Sequence, residues 1–325
     1  MLNVAVVAGG DSGEYDVSVR SGEQVVKNLD RKKYRPWFII LSGGNFTCRD
    51  EGGSFTLDKN DFTLQQGGQK IRFDVVFNAI HGTPGEDGKL QGYLDMLGIP
   101  YTSCGVTTSA LTFNKNLCKQ VVGSSGVATA RSVHLFRDVP EPGKLIREAL
   151  SLPVFIKPNN GGSSVGMSKV NRAGEMDPAI QRAFNEDDEI LAEEFLSGRE
   201  LTCGVLRSEG KIITLPVTEI ISKKEFFDFE AKYKDGLASE VVPAEIPDKT
   251  AEECRSISAF LYERLNCRGV VLFDYIFDGS RFWFLDVNTI PGLSEQSIVP
   301  KMARAHGWTL EELFTRLIEE SVKKK

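Results

Sequence analysis

Three oxygen-bearing side chains stand close together near the end of the chain: Asp274 in VVLFDYIF, and Asp286 and Asn288 in RFWFLDVNTIPG. The two apolar, aromatic runs flank Asp278-Gly279-Ser280, which predicts a β-hairpin with a short Gly-containing loop. Side chains alternate along a strand, so Asp286 and Asn288 share a face, and a three-residue loop would set Asp274 opposite Phe284 on that same face. Carboxylates on strands otherwise built of Val, Leu, Phe, Tyr, Ile and Trp are costly to bury unless a cation neutralises them. Oxygen-only ligands point to magnesium or manganese, not zinc. The alternative is that one or both aspartates sit at a solvated strand end, as most strand carboxylates taken singly do.

A second cluster is LPVFIKPNNGGSSVGMSKV. Two apolar strands joined by a Gly- and Ser-rich loop make a flap whose backbone N–H groups can approach phosphate oxygens. Lys157 ends the incoming strand, and an inward lysine there needs an anionic partner such as a triphosphate. A snorkelling lysine beside a flexible hairpin is the alternative, and the spacing is not the GxxxxGKS/T of a P-loop. In ILAEEFLSGRELTCGVL, Glu193, Glu194 and Glu200 straddle Ser197-Gly198, offering the few polar groups beside an apolar slot that adenine and ribose require. His81 opens HGTPGEDG just after the strand-like FDVVFNAI, a loop position where open α/β sheets bind ligands, although such a histidine is as often plain surface. Lys115 and Lys119 lie on a helix with Leu111, Leu117, Cys118, Val121 and Val122, where most lysines only solubilise.

The elements that must position these residues follow from periodicity. Residues 2–8 read as a buried strand, then a glycine turn GGDSGEYDVS, then a helix with Val19, Val25, Val26 and Leu29, the opening of a doubly wound α/β unit. The turn is not GxGxxG, so a dinucleotide site is poorly supported. PWFIIL adds a strand, and Leu90, Tyr93, Leu94 and Leu97 mark a helix. EIISKKEFFDFEAKYKDGLASEVVPAEIP is the longest irregular stretch, a lid over an active site or a plain surface loop. Residues 251–265 form an amphipathic helix with Cys254, Ile257, Phe260, Leu261 and Leu265 on one side. Thr309 and Glu312 open a last helix as a capping box, with Leu310, Leu313, Phe314, Leu317 and Ile318 buried.

Length and composition bound the rest. A chain of 325 residues exceeds one ordinary core, so two or three domains are expected. Hydrophobic content of 41% and charged content of 26% belong to the globular class. A net charge of -6 with pI near 5.4 argues against a general nucleic-acid or anionic-membrane binder. The six cysteines form no CxxC pair and no Cys/His cluster, which disfavours structural zinc and a secreted disulfide framework. With neither a leader-like start nor a membrane-length apolar run, a cytoplasmic location is expected.

Taken in order, GGDSGEYDVS, HGTPGEDGKLQGYLDMLGIPYT, SALTFNKNLCK, FIKPNNGGSSVGMSKV, EEFLSGRELT, FFDFEAKY, FDYIF and FLDVNTIPG resemble the D-alanine:D-alanine ligases of the ATP-grasp superfamily over nearly the whole chain. The resemblance implies a doubly wound α/β domain at 1–103, a central ATP-grasp subdomain with the glycine-rich loop at 104–192, and a C-terminal subdomain with lid and metal site at 193–325. It implies ATP-dependent, ADP-forming ligation of two D-alanines through an acyl phosphate for peptidoglycan precursors, in a cytoplasmic homodimer. Lys115, Lys157, Ser163, Ser164, Glu193, Leu196 and Glu200 match nucleotide-binding positions, and Asp274, Asp286 and Asn288 match a site for two magnesium or manganese ions. Glu14, Ser163 and Tyr233 match a hydrogen-bonded triad. Glu14 and His81 would serve the first D-alanine, and Lys232, Gly292, Ser297 and Ile298 the second or the transferring phosphate. Two positions depart from the family pattern. Leu272 stands where an arginine contacting the tetrahedral intermediate is usual, with Arg268 or Lys301 as candidate substitutes, and Asp286 replaces the usual Glu. An ATP-grasp ligase for another amino acid pair is the runner-up, followed by a nucleotide-binding module without turnover and, for want of GxGxxG, a Rossmann dehydrogenase as the poorest.

Overall fold

Strand-forming runs that are buried on both faces, such as Val4 to Ala8, must lie between layers, and here they lie at the centre of a sheet. The computed structural model describes residues 1–50, 53–162, 164–222 and 238–323. Its first sheet runs in the order Gly53–Thr56, Asn45–Asp50, Tyr34–Ser42, Leu2–Gly9, Val75–Asn78. Leu2–Gly9 is parallel to both Tyr34–Ser42 and Val75–Asn78, and the other pairings are antiparallel. The helices Tyr15–Asn28 and Lys89–Leu97 follow the parallel strands Leu2–Gly9 and Val75–Asn78, so the expected doubly wound unit is present. The loops at the C-terminal ends of Leu2–Gly9 and Val75–Asn78 carry Glu14 and His81.

A second, antiparallel sheet has the order Ser168–Val170, Val154–Pro158, Glu189–Glu194, Ser132–Phe136. Val154, Ile156, Ile190 and Ala192 point to the helices Pro142–Ala149 and Met176–Glu186 and form one core with Ile146, Met176 and Ile180. Alternation sends Phe155, Lys157 and Glu193 to the opposite face, where they line a cleft.

The third sheet follows the path Ala238–Val241, Thr218–Ser222, Arg199–Ser208, Val270–Phe277, Phe282–Asn288, Ala128–Thr129. The helix Asp248–Arg264 covers one side of it. Its buried stripe is Cys254, Ser258, Leu261 and Tyr262, whereas Phe260, expected inside, is 47% exposed. Ser258 takes an interior position because its hydroxyl meets Tyr275 Oη at 3.0 Å and donates to Cys254 O. All six cysteines are buried free thiols. The final helix Leu310–Val322 begins with the expected Thr309/Glu312 capping box and buries the five apolar residues assigned to it. Those residues share a cluster with Val4, Val6 and Phe77 of the first sheet and Val270 and Leu272 of the third, so the last helix holds the two halves of the cleft together. Among the described residues, no helix is long and apolar enough to cross a membrane.

The C-terminal hairpin corrects the expected register. Phe277 pairs with Phe282, leaving four residues in the loop, because Asp278 Oδ1 accepts from both Ser280 N–H and Arg281 N–H and closes a wider turn. Tyr275 pairs with Phe284, but the next pair is Asp274 with Asp286, so Leu285 is an extra residue in a bulge. The bulge leaves Phe284 in the core with Tyr275 and rotates Asp286 to the other face, beside Asp274 and Asn288. The trio shares a face as expected, though Asp274 does not oppose Phe284.

Candidate active site

Two cavities of about 880 and 970 Å³ open between the sheets. They share Glu14, Lys115, Gly161, Gly162, Glu200, Asp274 and Asp286, so they meet where the glycine loop faces the hairpin. Beyond this junction the larger cavity has an apolar slot of Phe155, Met167, Leu196, Ile276 and Leu285, edged by Lys157, Ser164 and Glu193. The other extends past His81, Asn288, Gly292, Ser297 and Ile298. One therefore suits a flat base with phosphates, and the other suits small polar molecules.

Around Lys157 the charges are ordered. Its Nζ lies 2.5 Å from Glu193 Oε2, and Lys119 contacts the other oxygen of the same carboxylate. The side chains of Lys119, Glu193 and Lys157 are only 5%, 8% and 12% exposed. Burial pushes the Glu193 carboxyl up, but the two lysine charges and their hydrogen bonds win and hold it at about 2. Burial lowers Lys119, whereas for Lys157 burial is outweighed by Glu193 and Asp286 and the amine is held above its ordinary value. A protein carboxylate thus stands where the sequence suggested only phosphate, and Lys119, read as solubilising, is its buried second partner. Lys115, at the first turn of the helix Lys115–Ser124, donates to Gly161 O, and its backbone N–H donates to Asn159 O at 3.0 Å, tying the helix to the glycine loop.

Glu14 precedes the helix Tyr15–Asn28 and comes so close to the loop that a Cβ on Gly162 would lie 3.0 Å from Glu14 Oε2. A side chain at 162 would displace that carboxylate. His81 is 4% exposed, and both ring nitrogens have protein neighbours. Its Nδ1 is 2.7 Å from Ile290 O, which can only accept, and its Nε2 is 3.2 Å from Ser21 Oγ. Burial lowers its pKa against the opposing Glu14 charge, so the ring is neutral, donates from Nδ1 and accepts at Nε2. Ser21 in turn accepts from Leu293 N–H at 3.1 Å. His81 therefore fastens the loop after Val75–Asn78 and the helix Tyr15–Asn28 to the segment after the hairpin. Glu86, quoted within HGTPGEDG but not singled out, does the same by accepting from Ile290 N–H at 3.2 Å and Gly82 N–H at 2.8 Å. Burial and then the Glu14 charge raise its carboxyl to about 8, against those two hydrogen bonds.

Asp274 and Asp286 are direct cross-strand partners, with Asn288 two residues further along the same face. Val287 N–H donates to Asp286 Oδ1 and Ile290 N–H to Asn288 Oδ1, at 2.9 and 3.0 Å, which orients both side chains and leaves oxygen lone pairs toward the cleft. Among the described residues no group of three or more His, Cys, Asp or Glu side chains could hold a metal, and the third donor here is an amide. The donor set is all oxygen and like-charged at its centre, so it fits a hard divalent cation. Ser163, Lys232, Tyr233 and residues 223–237 in the middle of the expected lid stretch 219–247 lie outside the described residues, while at its two sides Thr218–Ser222 and Ala238–Val241 pair as antiparallel strands where irregular chain was expected. Arg268 does not line the cavity that Leu272 borders; it lines a separate cavity of about 190 Å³ with Tyr101, Arg207 and Cys267. Lys301 shares the cavity with Leu272 and pairs with Glu240, a contact that periodicity alone does not reveal.

Two family models match the chain, the D-ala D-ala ligase N-terminus over residues 3–104 and the D-ala D-ala ligase C-terminus over 126–319. The chain is 43% identical to a D-alanine--D-alanine ligase of Azobacteroides pseudotrichonymphae, over 98% of its length and 99% of that protein's. It is 42% identical to that of Flavobacterium johnsoniae, over 99% and 100% of the two chains. Among solved structures it resembles D-alanyl-alanine synthetase A from Vibrio cholerae, with TM-score 0.89, 25% identity and 99% of each chain covered. The VanG D-Ala:D-Ser ligase from Enterococcus faecalis gives TM-score 0.87 at 30% identity, with 98% of each chain covered.

Proposed function

The chain belongs to the D-alanine:D-alanine ligase family, and on that premise we propose that it joins two D-alanine molecules, consuming ATP and releasing ADP and phosphate, to supply peptidoglycan synthesis. The observation that carries this reading is the meeting of a cavity with an apolar slot and a second, polar cavity at Glu14, Gly162, Asp274 and Asp286. Phosphoryl transfer from ATP to an amino acid carboxylate requires such a junction. In the proposed reaction that carboxylate displaces ADP from the γ-phosphorus, and the amine of the second D-alanine attacks the acyl phosphate carbonyl. The tetrahedral intermediate then expels phosphate as the amine gives up its proton.

Glu14 accepts the ammonium of the first substrate in this scheme, and His81 and Glu86 keep the wall behind it in register. Lys115 and Lys157 offset phosphate charge, Ser163 and Ser164 serve nucleotide binding, and Leu196, Glu193 and Glu200 border the nucleoside. Gly292, Ser297, Ile298 and Lys232 serve the second substrate or the transferring phosphate, and Tyr233 completes the triad with Glu14 and Ser163. We assign magnesium or manganese to Asp274, Asp286 and Asn288, where two ions would supply positive charge for the moving phosphoryl group. The boundaries 1–103, 104–192 and 193–325, a homodimer and a cytoplasmic location complete the proposal. The test is phosphate release with ATP, magnesium and a panel of D- and L-amino acids, with products identified by mass. D-alanine-dependent release with the dipeptide supports it. Turnover on a different pair moves the assignment to another ATP-grasp ligase, and nucleotide binding without turnover removes it.

A further inference from the structure

The wall of the amino-acid cavity carries a charge pair that the proposed reaction does not use. Lys301 and Glu240 line it with Leu272, Gly292, Ser297 and Ile298, and neither borders the nucleotide cavity. Lys301 Nζ donates to Glu240 Oε2 at 2.9 Å, with the two side chains 34% and 19% exposed, so both are held yet still reachable from the cavity. They come from different elements. Glu240 lies on the strand Ala238–Val241, and its row continues through Ile220 and Glu200 to Ile276, the face that also carries Asp274 and Leu272. Lys301 lies on the helix Ile298–Ala305, one turn beyond Ser297, and therefore projects from the same side as the helix start.

The ion pair uses one of the three donors of the ammonium and one oxygen of the carboxylate, leaving each able to take another partner. The side chains of Leu272 and Ile298, which line the same cavity, are apolar. Fixed positive and negative charges 2.9 Å apart on the wall of this polar cavity are complementary to a small zwitterion. A hydroxy acid would bring only a carboxylate, which meets Lys301 but is opposed by Glu240 without the ammonium that a zwitterion sets against that charge.

We propose that Lys301 and Glu240 are the recognition pair for the second amino acid, Lys301 receiving its α-carboxylate and Glu240 facing its α-ammonium, so that the site selects an amino acid over the corresponding hydroxy acid. The proposal rests on the ligase reading and deepens it. It is tested with Lys301→Met, Lys301→Arg and Glu240→Gln against the wild type, measuring KM for the first and second D-alanine, ATP affinity, thermal unfolding and product masses. Dipeptide formation by the wild type is scored first, because its absence overturns the ligase reading and with it the premise. Given wild-type turnover, Lys301→Met should raise KM for the second D-alanine about 10- to 100-fold, the loss of one charge-assisted hydrogen bond, while ATP affinity and the first KM stay within about twofold. Lys301→Arg should recover most of that loss. Glu240→Gln should narrow the preference for D-alanine over D-lactate as acceptor by about tenfold or more. An unchanged second KM in Lys301→Met, a fall in kcat alone, or an unchanged acceptor preference in Glu240→Gln overturns the proposal.

Discussion

Replacing Glu193 by Gln removes the carboxylate that both Lys119 and Lys157 contact, at a place where the three side chains are 8%, 5% and 12% exposed. Burial alone would favour the neutral acid, yet the two ammonium groups hold it at about 2, against an ordinary 4.5. At about 1.4 kcal/mol per decade, that displacement corresponds to about 3 kcal/mol of stabilisation near neutral pH. Removing one partner of a buried ion pair costs about 3 to 5 kcal/mol by comparison with other proteins, so two routes lead to the same magnitude. The folded value lies below the unfolded one, so the stabilisation is complete above about 4.5 and is lost as pH falls toward 2. Urea unfolding of wild type and Glu193→Gln without nucleotide should therefore differ by about 3 kcal/mol near neutral pH and by clearly less near pH 3. The double variant Glu193→Gln/Lys119→Met should regain part of the loss, since one of the two stranded cations is gone. A single variant within about 1 kcal/mol of wild type, or an equal gap at both pH values, would refute the reasoning.

Three further perturbations probe the rest of the site. Asp274→Asn or Asn288→Ala should abolish turnover while stability changes by no more than about 1 kcal/mol, because the trio faces the cleft and not the core; ligation surviving in either variant removes the metal assignment. Glu86 is held protonated up to about 8, above its ordinary 4.5, so the folded state keeps its proton longer than the unfolded chain and stability declines as pH rises through that window. Glu86→Gln keeps one of the two accepting oxygens and removes the titrating proton, so it should lower stability overall yet flatten this decline, which thermal unfolding across the same range would show. In Gly162→Ala the new Cβ would sit 3.0 Å from Glu14 Oε2, so KM for the first D-alanine should rise about tenfold or more with ATP affinity preserved, as separate titrations would establish.

Much of this was written locally in the chain. The parallel strand-turn-helix opening, the capping box at Thr309 and the five buried residues of the last helix depend on periodicity and on contacts within one turn, which sequence spacing reports directly. The motifs that place Glu14, Lys157, Asp274 and Asn288 were legible for the same reason. Other features arise only when distant segments meet. Leu285 reads as apolar whether or not it is a bulge, and only the pairing of Phe284 with Tyr275 and Asp286 with Asp274 settles which face each side chain takes. The Asp278 loop widens because one carboxylate accepts two backbone donors, a preference that competes with the tighter turn suggested by the glycine. Ser258 replaces Phe260 in the core because Tyr275, on another element, offers a hydroxyl partner. Lys119 with Glu193, His81 with Ile290, Glu86 with Ile290 and Lys301 with Glu240 each join residues more than 60 positions apart or on separate sheets. A lysine or carboxylate carries no mark in sequence of whether water or an opposite charge will solvate it, since burial and partner are set together by the packing of the sheets.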